Sequence, residues 1–208
     1  MPAGEGCIVP GRPGAARGRL QSRPMAQRST IHKVDLSIAD IDRGRYADHA
    51  LTVARHPSET DERMMLRVLA FVLFADDALQ FGRGLSAEGE ADLARVDLTG
   101  VIELWIEVGL PDEKWVRKAC GRAAQVVVLA YGGHKAELWW RQQEAALERC
   151  SNLSVLSVDP QASAALARLV ARSMHLDCTV QDGQVWIGAG GEGVSVEPTW
   201  LRRAPGLG

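Results

Sequence analysis

The chain has 208 residues, with 24 Lys and Arg against 26 Asp and Glu and a formal net charge of −2. That length suits one domain with a real core, and 46% hydrophobic with 24% charged residues excludes a disordered, fibrous or collagen-like protein. The near-neutral balance excludes a protein that coats nucleic acid by bulk charge, though not one that grips a few phosphates.

Residues 1–28 differ from the rest. Arg12, Arg17, Arg19, Arg23 and Arg28 face one acid, Glu5, among four prolines and five glycines. Such a segment cannot bury enough apolar surface to offset ordering, so it is predicted to be a disordered tail. It reads either as a basic arm or as sequence upstream of a true start at Met25. The remaining 29–208 carry about −6, by subtracting +4 from −2.

Alternation of Val34, Leu36 and Ile38 predicts a strand over 29–40. A turn follows, and a second strand over 44–55 completes an antiparallel hairpin. His56-Pro57-Ser58 stops it, with Ser58 as N-cap of a helix over 59–76. Leu79–Arg83 reads as a short strand and 84–98 as a polar loop. Val101–Leu110 is the best strand, with Ile102, Leu104, Ile106 and Val108 on one face and Glu103, Trp105 and Glu107 on the other. Asp112 caps a helix over 113–122, and 125–131 is an apolar strand. A helix over 135–149, a strand over 153–158 and a helix over 161–174 come next. Asp182-Gly183 joins strands 175–181 and 184–188 as a two-residue hairpin, and 204–208 is expected to be a flexible end. The pattern predicts an α/β fold, a mixed sheet flanked by helices with antiparallel hairpins at both ends.

The longest apolar run, Val68–Ala75, has eight residues, against the ~20 a membrane helix needs. No membrane role is expected. Cys7, Cys120, Cys150 and Cys178 form no C-x-x-C pair, and no apolar signal segment opens the chain, so reduced thiols in a cytoplasm are expected. His32, His49, His56, His134 and His175 are scattered singly, which speaks against zinc. Neither a phosphate-binding glycine loop nor a G-x-S-x-G elbow is present.

Carboxylates carry the chemical signal. Glu59 and Glu62 extend the apolar stripe of Leu66, Leu69 and Leu73 to the helix start, either as members of a site or as charges steadied by the helix dipole. Glu103 and Glu107 share a strand face, ~13 Å apart by the strand rise, too far to share one metal. Either can serve a site or face solvent on a one-sided sheet. Lys114 and Lys118 share a helix face, which either positions a phosphate or is simply solvated.

Several runs resemble the YaeQ family: LTVARHPSETDERMM at 51–65, LQFGRGL at 79–85, ELWIEVGLPD at 103–112, NLSV at 152–155 and QDGQVWI at 181–187. The resemblance spans about residues 26–200 and supports Met25 as a start. It implies a core like the PD-(D/E)xK nuclease superfamily, which runs helix, three strands, helix, strand, so one strand is hidden within 84–98. It also implies an acid on one strand and (D/E)-x-K on the next, holding Mg²⁺ or Mn²⁺. This sequence has Gly109 where the lysine belongs. By the resemblance, Glu62, Glu103 and Glu107 are the expected metal ligands, with Glu107 foremost. Lys118 or Lys114 would replace the lysine, and Arg63 or Arg83 would touch phosphate. The expected activity is metal-dependent cleavage of nucleic-acid phosphodiesters. The rival is a non-catalytic module that binds a protein or nucleic-acid partner on the same scaffold.

Overall fold

The computed structural model describes residues 29–82 and 89–207, so the predicted tail and Arg83 lie outside the described residues. The chain opens with an antiparallel hairpin, β1 (Thr30–Asp40) and β2 (Arg45–Arg55). Helix α1 (Asp61–Leu73) follows, then β3 (Leu79–Phe81), β4 (Leu93–Val96) and β5 (Ile102–Val108). Helix α2 (Glu113–Cys120), β6 (Ala123–Tyr131), α3 (His134–Gln143), β7 (Leu153–Val158) and α4 (Pro160–Ala167) alternate. Four strands close the chain: β8 (Ser173–Gln181), β9 (Gln184–Ala189), β10 (Glu192–Val196) and β11 (Thr199–Arg202).

These strands form two sheets, not one. The first has the order β10-β9-β8-β1-β2, the second β11-β7-β6-β5-β4-β3. The hairpins from the two ends of the chain therefore do not flank the central sheet. They join each other, through parallel pairing of β1 with β8, and build a sheet of their own. Side-chain alternation along β1 predicts a strand with one buried face, but it carries no information about which distant strand lies beside it.

Helix α1 lies between the sheets. Met64 to Val72 are all buried, because the helix meets apolar surface on both sides. One core cluster unites Val34, Leu36 and Ile38 of β1, the α1 side chains, and Leu104, Ile106 and Val108 of β5. The far face of the second sheet is covered separately. There Trp105, Val126 and Val128 pack under Val116 of α2 and Trp139 and Trp140 of α3.

Several boundaries differ from the predicted ones. Helix α1 is capped by Thr60, whose side chain accepts from the Arg63 amide, while Ser58 is engaged with His56 Nδ1 at 2.6 Å. Glu59 thus precedes the helix. The expected loop 84–98 contains β4, whose four residues are too few for alternation to register. Helix α3 ends at Gln143 and the chain turns so that Leu147 plugs the outer core. Helix α4 ends at Ala167, and the following turn delivers Arg172, whose carbonyl accepts from Lys33 N as β8 joins β1. The end of the chain is not loose over 204–205: Ala204 is buried, its amide bonds Ser154 Oγ at 2.9 Å, and Pro205 O accepts from Gln125. Asp182-Gly183 is the expected turn, with φ of 53° and 76°. Among the described residues no helix is long and apolar enough to cross a membrane.

Leu69 is fully buried in α1 between the sheets. Replacing it with Ala deletes apolar contacts and leaves a cavity that neither sheet can fill, so Leu69→Ala should cost about 2–5 kcal/mol. Urea unfolding of the variant beside the parent measures this directly.

Candidate functional site

The site is built where α1 begins and β4 and β5 meet. The segment entering α1 places Glu59 under the helix with no solvent exposure of its side chain. Its carboxylate accepts from Arg67 Nε and Nη2 at 2.9 and 2.8 Å, and from Arg63 Nη1 at 2.7 Å. Arg67 also donates to the Ala54 carbonyl of β2 at 2.8 Å. Spacings of four and eight residues from Glu59 bring Arg63 and Arg67 onto one side.

Arg63 then reaches across to the second sheet. Its Nη2 donates to both oxygens of Asp92, at 2.8 and 2.7 Å. Asp92 stands just before β4 and is fixed by β5. Its amide donates to Ile106 O at 3.0 Å, and its Oδ2 accepts from Val108 N at 2.8 Å. The result is a chain of alternating charge, Arg67, Glu59, Arg63, Asp92, that spans from β2 to β5.

Glu107 lies beside Asp92 on β5 and is only 9% exposed. Its Oε1 accepts from the indole N–H groups of Trp105 and Trp115, each at 2.7 Å. Burial and the neighbouring Asp92 charge push its pKa up to about 7, although the two indoles and Arg63 pull the other way. Oε2 has no hydrogen bond among the described residues.

The other predicted residues are dispersed around this pair. Glu62 accepts a 2.6 Å hydrogen bond from Ser163 Oγ of α4. Tyr131, at the end of β6, feels Arg63, Glu62, Glu59 and Asp92, so these groups share one neighbourhood, and burial raises its phenol pKa first of all. Lys118 sits with its ammonium 5.2 Å from the Trp115 ring centre, one ring away from Glu107. Lys114 is exposed on the same helix. Glu103 is elsewhere: it pairs with Arg95 at 2.9 Å on the exposed part of β5, ~13 Å along the strand from Glu107. Among the described residues no group of three or more His, Cys, Asp or Glu side chains is gathered as a metal cage.

Asp92 is the site residue that sequence reasoning missed. It sits in a polar stretch next to a four-residue strand, and only the hidden strand required by the resemblance pointed there. Gly109 has φ of +126°, which L side chains rarely adopt, and an added Cβ would face Tyr131 Cε1 at 4.0 Å. The backbone itself therefore disfavours a lysine at this position.

The raised pKa of Glu107 has a consequence for stability. A carboxyl that is easier to protonate in the folded state contributes stability fully below its unfolded pKa and loses it as pH rises through about 7. The gap corresponds to about 3 kcal/mol at most. Metal-free protein should therefore weaken between pH 5 and pH 8, and Glu107→Gln should remove about 1–3 kcal/mol of that decline. Urea unfolding in chelator at both pH values tests it; identical pH dependence in parent and variant would refute the assignment.

Comparison with known proteins agrees with this architecture. Residues 25–198 match the family described as YaeQ protein. The "Uncharacterized protein YaeQ" of Salmonella typhi is 49% identical over 164 residues, covering 78% of this chain and 90% of that protein. Its Escherichia coli (strain K12) counterpart is 46% identical with the same coverage. The crystal structure of YaeQ protein from Xanthomonas axonopodis pv. citri is 51% identical, with a TM-score of 0.82 over 85% of this chain and 99% of that one. That from Pseudomonas syringae is 33% identical, with a TM-score of 0.81 over 86% and 98%. With the match covering nearly all of the described fold, the chain belongs to the YaeQ family.

Proposed function

We propose that this protein is a divalent-cation-dependent phosphodiester hydrolase with a PD-(D/E)xK-like core, acting on nucleic acid. The observation that carries this reading is the side-by-side placement of Asp92 and Glu107, locked by the hydrogen bonds between Asp92 and β5. The element order supports it. Helix α1, strands β3, β4 and β5, helix α2 and strand β6 run as helix, three strands, helix, strand. Asp92 then stands where the first acid belongs, and Glu107-Val108-Gly109 where (D/E)-x-K belongs.

The residues fit a small hard cation. Mg²⁺ takes one or two carboxylates and keeps water and phosphate oxygens for its other positions, so a full protein cage is not required. Asp92 and Glu107 would hold it, with Glu62 at the margin; Glu103 is too distant. A bound Mg²⁺ or Mn²⁺ supplies Lewis acidity and lowers the pKa of its water. The chain's own contribution is charge and position. Arg63 takes the place of the missing lysine as the cation beside the acids, able to neutralise charge on a phosphate. Lys118 stands behind Trp115 as a longer-range cation. Glu107, half protonated near neutral pH, becomes a better ligand as pH rises.

A second reading has its own observation. Arg63 grips both oxygens of Asp92, which suits a scaffold that keeps the nuclease architecture and binds a partner without catalysis.

Calorimetric titration of Mn²⁺ at pH 6 and pH 8, followed by cleavage assays on DNA and RNA, separates the two. Binding should tighten at pH 8, be lost in Asp92→Asn and Glu107→Gln, and survive in Glu103→Ala. Arg63→Met should keep or tighten metal binding while lowering cleavage by about 10²-fold or more. A parent that binds no metal with substrate present and cleaves neither nucleic acid would leave the scaffold reading standing.

A further inference from the structure

The outer face of the first sheet is open to solvent and its side chains fall into rows set by the strand register. One row runs Tyr46, Ala39, Thr179, Trp186, Ser195 across β2, β1, β8, β9 and β10. The adjacent row runs Asp48, Ser37, Asp177, Gly188, Gly193. Two large aromatics in the first row are exposed, Tyr46 at 73% and Trp186 at 46%. Between them lie only the small Ala39 and Thr179. Two hollows of about 490 and 410 Å³ adjoin at Thr179, one beside Tyr46 and one beside Trp186.

Trp186 is seated for this exposure. Its indole lies across Gly188 and Gly193, where an added Cβ would come within 2.2 Å and 2.7 Å of the ring. The two glycines are the bed on which the ring lies flat, and they leave its other face to solvent. Each aromatic has a carboxylate next to it. Asp48 is two residues from Tyr46 on β2, and Asp177 pairs with Gly188 under the indole. Both carboxylates are exposed, and neither has a hydrogen-bond or ion-pair partner among the described residues. The ten residues of the two rows include no Lys, Arg or His. Farther along the sheet, Asp35 is already paired with His175 at 3.2 Å, and Lys33 bonds Thr52 Oγ1.

An aromatic face beside an unpaired carboxylate attracts a guanidinium or ammonium group, by cation–π attraction and by charge. The same carboxylates repel phosphates, which disfavours nucleic acid here. The two aromatics are three strand spacings apart, ~14 Å, and the two carboxylates two spacings apart, ~10 Å. An extended polypeptide covers the distance between the aromatics in about four residues, and residues four apart point the same way. From this match we propose that the outer face docks an extended basic segment of another polypeptide, with Arg or Lys residues four positions apart on Trp186/Asp177 and Tyr46/Asp48. This surface is separated from the Asp92–Glu107 site by the whole thickness of the first sheet, and the proposal stands independently of the catalytic reading.

The test is fluorescence anisotropy with labelled Ser/Thr-background peptides that carry two arginines four residues apart, beside peptides with the arginines adjacent. The four-apart peptide should bind at least about tenfold tighter than the adjacent one, by the two-point match. Trp186→Ala and the double change Asp48→Asn/Asp177→Asn should each weaken it about tenfold or more, and Trp186→Phe should restore much of the loss. Unchanged urea midpoints identify these as surface effects. Equal binding of both peptides, or insensitivity to the variants, would overturn the proposal. So would binding of a neutral oligosaccharide that needs Trp186 but not the carboxylates. Self-association of the parent, abolished by Trp186→Ala, would assign the face to a second copy of this chain and overturn it as well.

Discussion

The alternating ion chain Arg67, Glu59, Arg63, Asp92 is the interaction on which the rest of the structure depends. Arg67 and Glu59 have fully buried side chains, and a buried charge without a partner costs several kcal/mol. The chain therefore closes only in one arrangement. Arg67 must reach the Ala54 carbonyl on the first sheet, and Arg63 must reach Asp92 on the second. Apolar packing alone would let α1 slide or rotate between two greasy faces. The ion chain sets its depth and its rotation, and so determines which end of the helix faces the carboxylate pair.

That constraint also shapes the electrostatics of the site. Asp92 accepts hydrogen bonds from Arg63 and from the Val108 amide. Glu107, the penultimate residue of β5, has two neutral indoles as its close donors among the described residues, so burial and the Asp92 charge dominate. Two neighbouring carboxyl groups thus come to sit in different surroundings. The asymmetry originates in what each touches and not in residue type, since both are ordinary acids in the sequence.

Much of the architecture is legible from the amino-acid pattern because local rules decide it. The β1–β2 and β8–β9 hairpins follow from alternation and from Asp182-Gly183, and α2 follows from Asp112 as its cap. Glu107 is legible as an acid amid an apolar strand. What stays hidden is whatever long-range geometry decides. Asp92 is one acid in a polar run until β4 pairs with β5 and its amide finds Ile106 O. Arginine is seldom fully buried, and the burial of Arg67 follows only from the Glu59 carboxylate beside it. The union of β1 with β8 depends on strands 140 residues apart, Lys33 against Ser173. Glu103 satisfies the strand pattern as well as Glu107 does, but in the structure it pairs with the half-buried Arg95.

Arg63 differs from the other members of the ion chain in one respect that matters for function. Glu59 is held twice, by Arg67 and by Arg63. If Arg63 swung away, Glu59 would keep two charged hydrogen bonds from Arg67, and Asp92 would keep the Val108 amide. Arg67 has no such freedom, because its side chain is fully buried and its departure would take two of the charged hydrogen bonds from Glu59 and the donation to the Ala54 carbonyl of β2. Arg63 is also partly exposed where Arg67 is not. In the proposed reading, Asp92 and Glu107 would hold a divalent cation whose charge would stand in for that of Arg63 on Asp92, and the Arg63 guanidinium would serve a phosphate. The Arg63–Asp92 clasp thus joins two groups that each have a second partner, Glu59 for Arg63 and the Val108 amide for Asp92.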